Sequence, residues 1–296
     1  MIRKLLAMSM CIGLTISLAK AAEDSTSQPN MSAAAIVERN VAARGGLQAW
    51  RSVQTISMQG KLGAGGNQRS AIPVPSPDRK VIRQALPSRP AEEVQLPFLM
   101  EMKRNRKMRL ELQFNGQTAI QVFDGNDGWK LRPFLNRRVV EPFTAEEIKA
   151  ASNQTDLDGP LVDYVSKGSQ IDLEGMEKVE NRNTYKLKIK MKTGRTMHVW
   201  IDAQSFLEAK IDGQPRRLDG TEHPVEVYYR DYRQVNGLQI PFVLETKVLP
   251  VSQTALGLRD TPAPPERIVI DKVTINPKLE DSRFAKPEAT VAGKTK

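Results

Sequence analysis

The sequence is poor in the residues that make enzymes, metal sites and disulfide scaffolds. Its 296 residues include one cysteine, two histidines and 5% aromatics. The cysteine, Cys11, lies inside an apolar N-terminal run, so the rest of the chain forms no disulfide and offers no thiol nucleophile. His198 and His223 belong to no HExxH or similar metal spacing, and no GxSxG elbow occurs. Carboxylates fall mostly on the polar sides of strand patterns, with no pair placed as acid and base. No catalytic residue, metal or cofactor is therefore expected. The scarcity of aromatics among the lysines argues against a nucleic-acid partner. After the N-terminal run no apolar stretch reaches membrane-spanning length, so no integral membrane segment is expected in the processed chain.

The N-terminus has its own pattern. Arg3 and Lys4 precede an apolar core from Leu5 to Leu18, followed by Ala19-Lys20-Ala21. That is the order of a secretory signal peptide, so residues 1–21 are expected to be removed by cleavage after Ala21. Loss of Arg3, Lys4 and Lys20 takes the formal charge from +10 to +7. Residues 22–31 are polar and read as a disordered linker, residues 32–287 as one domain, and residues 288–296 as a mobile tail. With no disulfide, stability has to come from a core, and a chain of this length can bury one.

What is abundant is alternation. From Tyr185 to Asp202 the chain reads YKLKIKMK-TG-RTMHVWID. Tyr185, Leu187, Ile189 and Met191 share one face of a strand, and Lys186, Lys188, Lys190 and Lys192 the other. The pause at Thr193-Gly194 makes it a β-hairpin. KMRLELQF repeats the pattern, with Met108, Leu110, Leu112 and Phe114 opposite Lys107, Arg109, Glu111 and Gln113. Phe98, Met100 and Met102 alternate in the same way. About ten such strands are expected. Prolines from Pro73 to Pro97 restrict any strand there to edges or short pieces, and residues 251–266 read as a long loop.

Helix is expected in three places: after the N-cap Ser32 up to Gly45-Gly46, from Thr144 with a capping-box Glu147, and from Pro160 to Gly168. Leu47 and Trp50 are expected on a short turn. Three helices are too few to cover ten amphipathic strands on their own. A strongly curved antiparallel sheet, left unclosed with helices plugging its concave face, solves that problem and leaves an apolar groove.

The run Asp124 to Phe134 (DGNDGWKLRPF) resembles the LolA/LolB family of bacterial lipoprotein carriers. It has the Asp-Gly at Asp124-Gly125, the Trp four residues later at Trp129, and the Pro-Phe at Pro133-Phe134. GGLQAWRSVQ from Gly45 and VNGLQIP from Val235 are similar to longer outer-membrane lipoprotein-sorting proteins. The resemblance implies a mainly β half-barrel, a periplasmic location and no enzymatic activity. It also implies that acyl chains, a lipid or a lipoprotein anchor lie on the concave face under a helical lid, with an envelope protein as a further possible partner. A sensor that binds lipid and regulates such a partner is the alternative, as is a structural envelope protein without a ligand.

The groove residues expected on this reading are Phe98, Met100, Met102, Leu110, Leu112, Phe114, Trp129, Leu131, Leu187 and Ile189. Ile148, Leu161, Val162, Tyr164 and Val165 are expected in the lid. For each, plain core packing is the competing account, above all for Trp129, Leu131 and the methionines. Asp124, Asn126 and Asp127 could suggest calcium, but Leu135 stands where a bidentate glutamate would be needed. Turn chemistry explains them better.

Overall fold

The computed structural model describes residues 31–65, 93–133, 137–154, 156–218, 220–252 and 264–288. The expected signal peptide and most of the linker, residues 66–92 with most of the proline-rich region, Phe134, residues 253–263 of the long loop and the tail from residue 289 lie outside the described residues.

Alternating side chains produce strands, and glycine or asparagine turns connect them. In chain order the first half holds α1 (Ala33–Ala43), α2 (Leu47–Ser52), β1 (Thr55–Gly65), β2 (Glu93–Lys103), β3 (Lys107–Phe114), β4 (Gln117–Phe123), β5 (Gly128–Arg132), β6 (Arg137–Pro142) and α3 (Ala145–Gln154). The second half is strand only: β7 (Gln170–Val179), β8 (Arg182–Lys190), β9 (Thr196–Asp202), β10 (Glu208–Asp212), β11 (Arg216–Leu218), β12 (Thr221–His223), β13 (Val225–Val235), β14 (Leu238–Val248) and β15 (Glu266–Ile275). A 3-10 turn at Asp281–Phe284 follows.

Thirteen of these strands form one antiparallel sheet, in the order β6-β5-β4-β3-β2-β1-β15-β14-β13-β10-β9-β8-β7. Each half of the chain meanders outward from the centre, where the first and last strands pair. β6 and β7 remain edges, so the sheet is not closed. β11 and β12 form a separate hairpin.

Most of the expected elements form. Ser32 caps α1 by accepting from the Ala35 amide. Thr144 and Glu147 make the capping box at α3, each accepting from the other's backbone N–H. Asp124 Oδ1 accepts from the Asn126 and Asp127 amides, which makes the DGNDG run an Asx-type turn between β4 and β5. In β8, Leu187 and Ile189 are fully buried, while Lys188 and Lys190 face solvent. Pro97 and Pro241 fall where their strands have a single partner: β2 meets β3 only from Phe98 on, and β14 meets β15 only from Val243 on.

Three expectations are corrected. Leu47 and Trp50 lie on a short helix, α2, entered through Gly46 at φ 92°. VQTISMQGKL, which the sequence presents as a strand closed by a turn at residues 63–66, runs on as β1 and pairs with β2 as far as Gly65. Residues 157–168 are a series of turns rather than a helix. Gly159 and Asp163 take φ of 73° and 52°, and a left-handed residue breaks the helical ladder. Bonds from the Lys167 amide to the Asp163 carbonyl and from the Ser169 amide to the Tyr164 carbonyl hold the turns instead.

Candidate functional site: an apolar sheet face under a clasped loop

The inner face of the central strands is a grid of apolar rows set by register. One row runs Ile275, Ile56, Met102, Met108, and the next Val273, Met58, Met100, Leu110. A third runs Ile270, Gly60, Phe98, Leu112, and a fourth Leu244, Ile268, Leu62, Leu96. Gly60 has a structural reason: a Cβ there would meet the Val269 carbonyl oxygen at 2.1 Å and the Phe98 ring at 2.9 Å. With glycine, the Phe98 ring can approach β1 closely.

The rows differ in how well they are covered. Trp50, Val53, Leu157 and Val162 are buried in one cluster with Ile56, Met102, Phe98 and Ile270. Val273, Met58, Met100 and Leu110 border the same cluster yet stay half-buried, and so do all four members of the last row. Water-exposed apolar rows in the middle of a sheet face are costly. They are what an apolar ligand would cover.

Where the strands continue beyond the grid, the inner face is closed. Leu187 pairs with Val199, and Val199 with Ile211. Leu187 and Ile189 have no exposed surface, so they are close-packed core rather than open groove. Trp129 and Leu131 are on the wrong side: they pair with Val122 and Ile120, which in turn sit opposite Arg109 and Glu111. That is the outer face, where the 3-10 turn Asp281–Phe284 lies and Arg283 binds Glu101 and Glu111. Alternation places residues on two faces but does not say which face of a neighbouring hairpin is inner. Phe114 ends the inner-face series of β3, half-buried.

The residues expected in the lid divide likewise. Leu161 and Val162 are buried beneath the 157–168 loop, at 1% and 0% exposure. Tyr164 and Ile148 are half-buried. Val165 points to solvent, 71% exposed, and does not close over the groove.

What holds the loop is a set of ion pairs that the linear sequence does not display. Asp158, 4% exposed, receives two bonds of 2.8 Å from the Arg104 guanidinium. The same guanidinium reaches the Val53 and Trp50 carbonyls at 2.6 Å each, tying the loop to the α2–β1 junction. Bonding to Asp158 raises the Arg104 pKa despite partial burial, so the guanidinium stays charged. Arg51 and Asp163 form a second bidentate pair, which lowers the Asp163 pKa through hydrogen bonding and charge. Arg44 donates to the Asp158 carbonyl at 3.0 Å, lies 3.3 Å from Glu208, and stacks 4.3 Å above the Trp50 ring. Burial and the Glu208 charge push the pKa of Tyr229 and Tyr232 up, so both phenols stay neutral beneath the loop.

Among the described residues no cluster of three or more His, Cys, Asp or Glu could hold a metal ion, and no helix is long and apolar enough to cross a membrane.

The architecture is the one the sequence resemblance implies: a mainly β, unclosed antiparallel sheet with helices on its apolar face. No protein-family model matches the chain, and no curated protein matches it. Solved structures similar to it include a LolA superfamily protein from Nitrosomonas europaea, 13% identical, covering 86% of this chain and 98% of its own, with a TM-score of 0.49. A DUF1329 family protein from Desulfovibrio piger is 11% identical over 86% of this chain and 97% of its own, TM-score 0.49. A domain named for outer membrane lipoprotein sorting, from Vibrio parahaemolyticus, is 12% identical over 86% and 96%, TM-score 0.47.

Proposed function

We propose that this protein is an exported, non-enzymatic carrier that shields acyl chains, of a lipid or of a lipoprotein anchor, on the inner face of its unclosed sheet. The observation that carries this reading is the half-buried row Val273, Met58, Met100 and Leu110, flanked on both sides by buried residues. A chain laid along it would gain about 0.8 kcal/mol per methylene removed from water, enough for reversible loading. Methionine at two of the four positions suits a ligand of irregular shape. The loop 157–168, held by charged clasps rather than by continuous helix, is the part that yields on loading. The signal-like N-terminus and the resemblance to lipoprotein carriers support a periplasmic site of action.

The experiment is mass spectrometry of lipids co-purifying with the processed protein from envelope extracts. Stoichiometric acylated species are expected. A protein that emerges free of lipid and takes none up from micelles would refute the reading.

A further inference from the structure

A cavity lies apart from the apolar rows. It is a cleft of about 980 Å³ between α3, the β8–β9 turn and the β11–β12 hairpin. Register fixes its position. Asp212 at the end of β10 pairs with Glu226 near the start of β13, whose first residue, Val225, pairs with Val248 at the end of β14. Thr246 pairs with Glu266 at the start of β15, and Ile268 with Leu62 near the end of β1. The cleft and the half-buried row Leu244, Ile268, Leu62 and Leu96 thus share one end of the sheet, opposite the end clasped by Arg104.

One side chain in this cleft differs from the other half-buried arginines among the described residues. Arg51, Arg104, Arg216 and Arg230 each hold a carboxylate through two bonds. Arg195 is half-buried, and among the described residues it has no carboxylate partner. Its one bond is to the Gly213 carbonyl at 3.5 Å. Burial pushes its pKa down, only partly offset by Asp212, yet a guanidinium stays charged. Two exposed cations, Arg217 and Lys149, line the same cleft. Of the acids there, Asp212 accepts from the His198 amide and contacts its ring, and Glu147 is held by Lys130 and Thr144. Glu146 and Glu222 line the cleft too and are as exposed as Arg217 and Lys149, which leaves Arg195 as its half-buried charge without a carboxylate partner among the described residues.

We propose that this cleft is an oxyanion site for a phosphate ester, the head of the same amphiphile whose acyl chains lie on the apolar rows. The assignment rests on the carrier reading above and names its ligand class: a phosphate-bearing lipid. Three cations on three different elements, around a space far wider than one carboxylate, suit a multi-oxygen anion with a polar extension. The half-buried row Leu244, Ile268, Leu62 and Leu96 and the cleft lie toward the same end of the sheet, as an amphiphile requires.

The test is calorimetric titration of the processed protein with dioctanoyl phosphatidylglycerol, with dioctanoylglycerol and with glycerol phosphate. The phospholipid is expected to bind about 10-fold more tightly than the diacylglycerol, the equivalent of roughly 1.4 kcal/mol. Arg195→Gln should erase that difference and leave diacylglycerol binding unchanged. If Arg195→Gln misfolds, the double variant Arg217→Gln, Lys149→Gln at exposed positions should narrow the same gap. Equal affinities for the two lipids, unmoved by either variant, would overturn the headgroup site and leave the carrier reading standing. Glycerol phosphate binding as tightly as the phospholipid would overturn the amphiphile in favour of a free phosphate compound. Failure of both lipids to bind would overturn both proposals.

Discussion

Arg104 at the end of β2 holds Asp158 of the loop through two parallel bonds of 2.8 Å, joining residues 54 positions apart. Asp158 is nearly fully buried and Arg104 is 29% exposed on its side chain. Asp158→Ala therefore leaves a guanidinium facing a cavity and two backbone carbonyls. The expected cost is about 2 kcal/mol, below the ~3–5 kcal/mol of a fully buried pair, read from urea denaturation. Arg104→Lys should cost nearly as much, because an ammonium cannot span both carboxylate oxygens and the Val53 and Trp50 carbonyls. Wild-type stability in either variant would mean that apolar contacts alone hold the loop.

The clasped loop is also the moving part. Residues 157–168 lack a continuous ladder of backbone bonds, so they belong to the low-stability portion of the molecule. Amide exchange there is expected to be faster than in β2, β8 and β14 in the empty protein, and to slow markedly when an acyl ligand is bound. Asp158→Asn should speed exchange in this loop alone. Equal protection with and without ligand would make the loop fixed core.

The second clasp titrates. The hydrogen bonds and charge of Arg51 hold the Asp163 carboxyl below its usual value. A carboxylate whose folded pKa is depressed adds stability above its unfolded pKa and loses it as pH falls through the folded one. The gap in thermal midpoint between wild type and Asp163→Asn should therefore be constant from about pH 7 to 5 and shrink below about pH 4. Asparagine tolerates the left-handed backbone at this position, which isolates the charge. A gap that persists undiminished at about pH 3 would rule out the ion pair as its source.

Much of this was legible in the sequence, and the failures have physical causes. Period-two alternation locates β3 and the β8–β9 hairpin because one face of each is buried. Local chemistry locates the Ser32 cap, the Thr144–Glu147 box and the Asp124 turn. The inner or outer sense of Trp129 and Leu131 was not legible. It depends on the number of residues between β4 and β5 and on the 3-10 turn, more than a hundred residues away, that covers the outer face. Residues 160–168 carry a helix-like pattern, but Asp163 adopts a left-handed conformation to meet Arg51. Arg44, Arg51, Arg104 and Asp158 gave no signal, since ion pairs of long sequence separation leave no periodic trace. Arg104 next to Asn105 and Arg106, in a turn at a strand end, was the only hint of a cation free to reach elsewhere.

The central claim is that apolar side chains on one sheet face are left half-covered for a ligand rather than for packing, and one paired measurement tests it. Leu112 is half-buried on the grid, while Leu187, on the same face, has no exposed surface. Binding of a fluorescent fatty acid and the thermal midpoint are measured for Leu112→Asp and Leu187→Asp side by side. Leu187→Asp buries an unpaired charge and should unfold the protein, costing more than about 4 kcal/mol. Leu112→Asp should stay folded, with its midpoint within a few degrees of wild type, and lose fatty-acid binding by at least about 10-fold. Unfolding by both substitutions, or undiminished binding by a folded Leu112→Asp protein, would contradict the account.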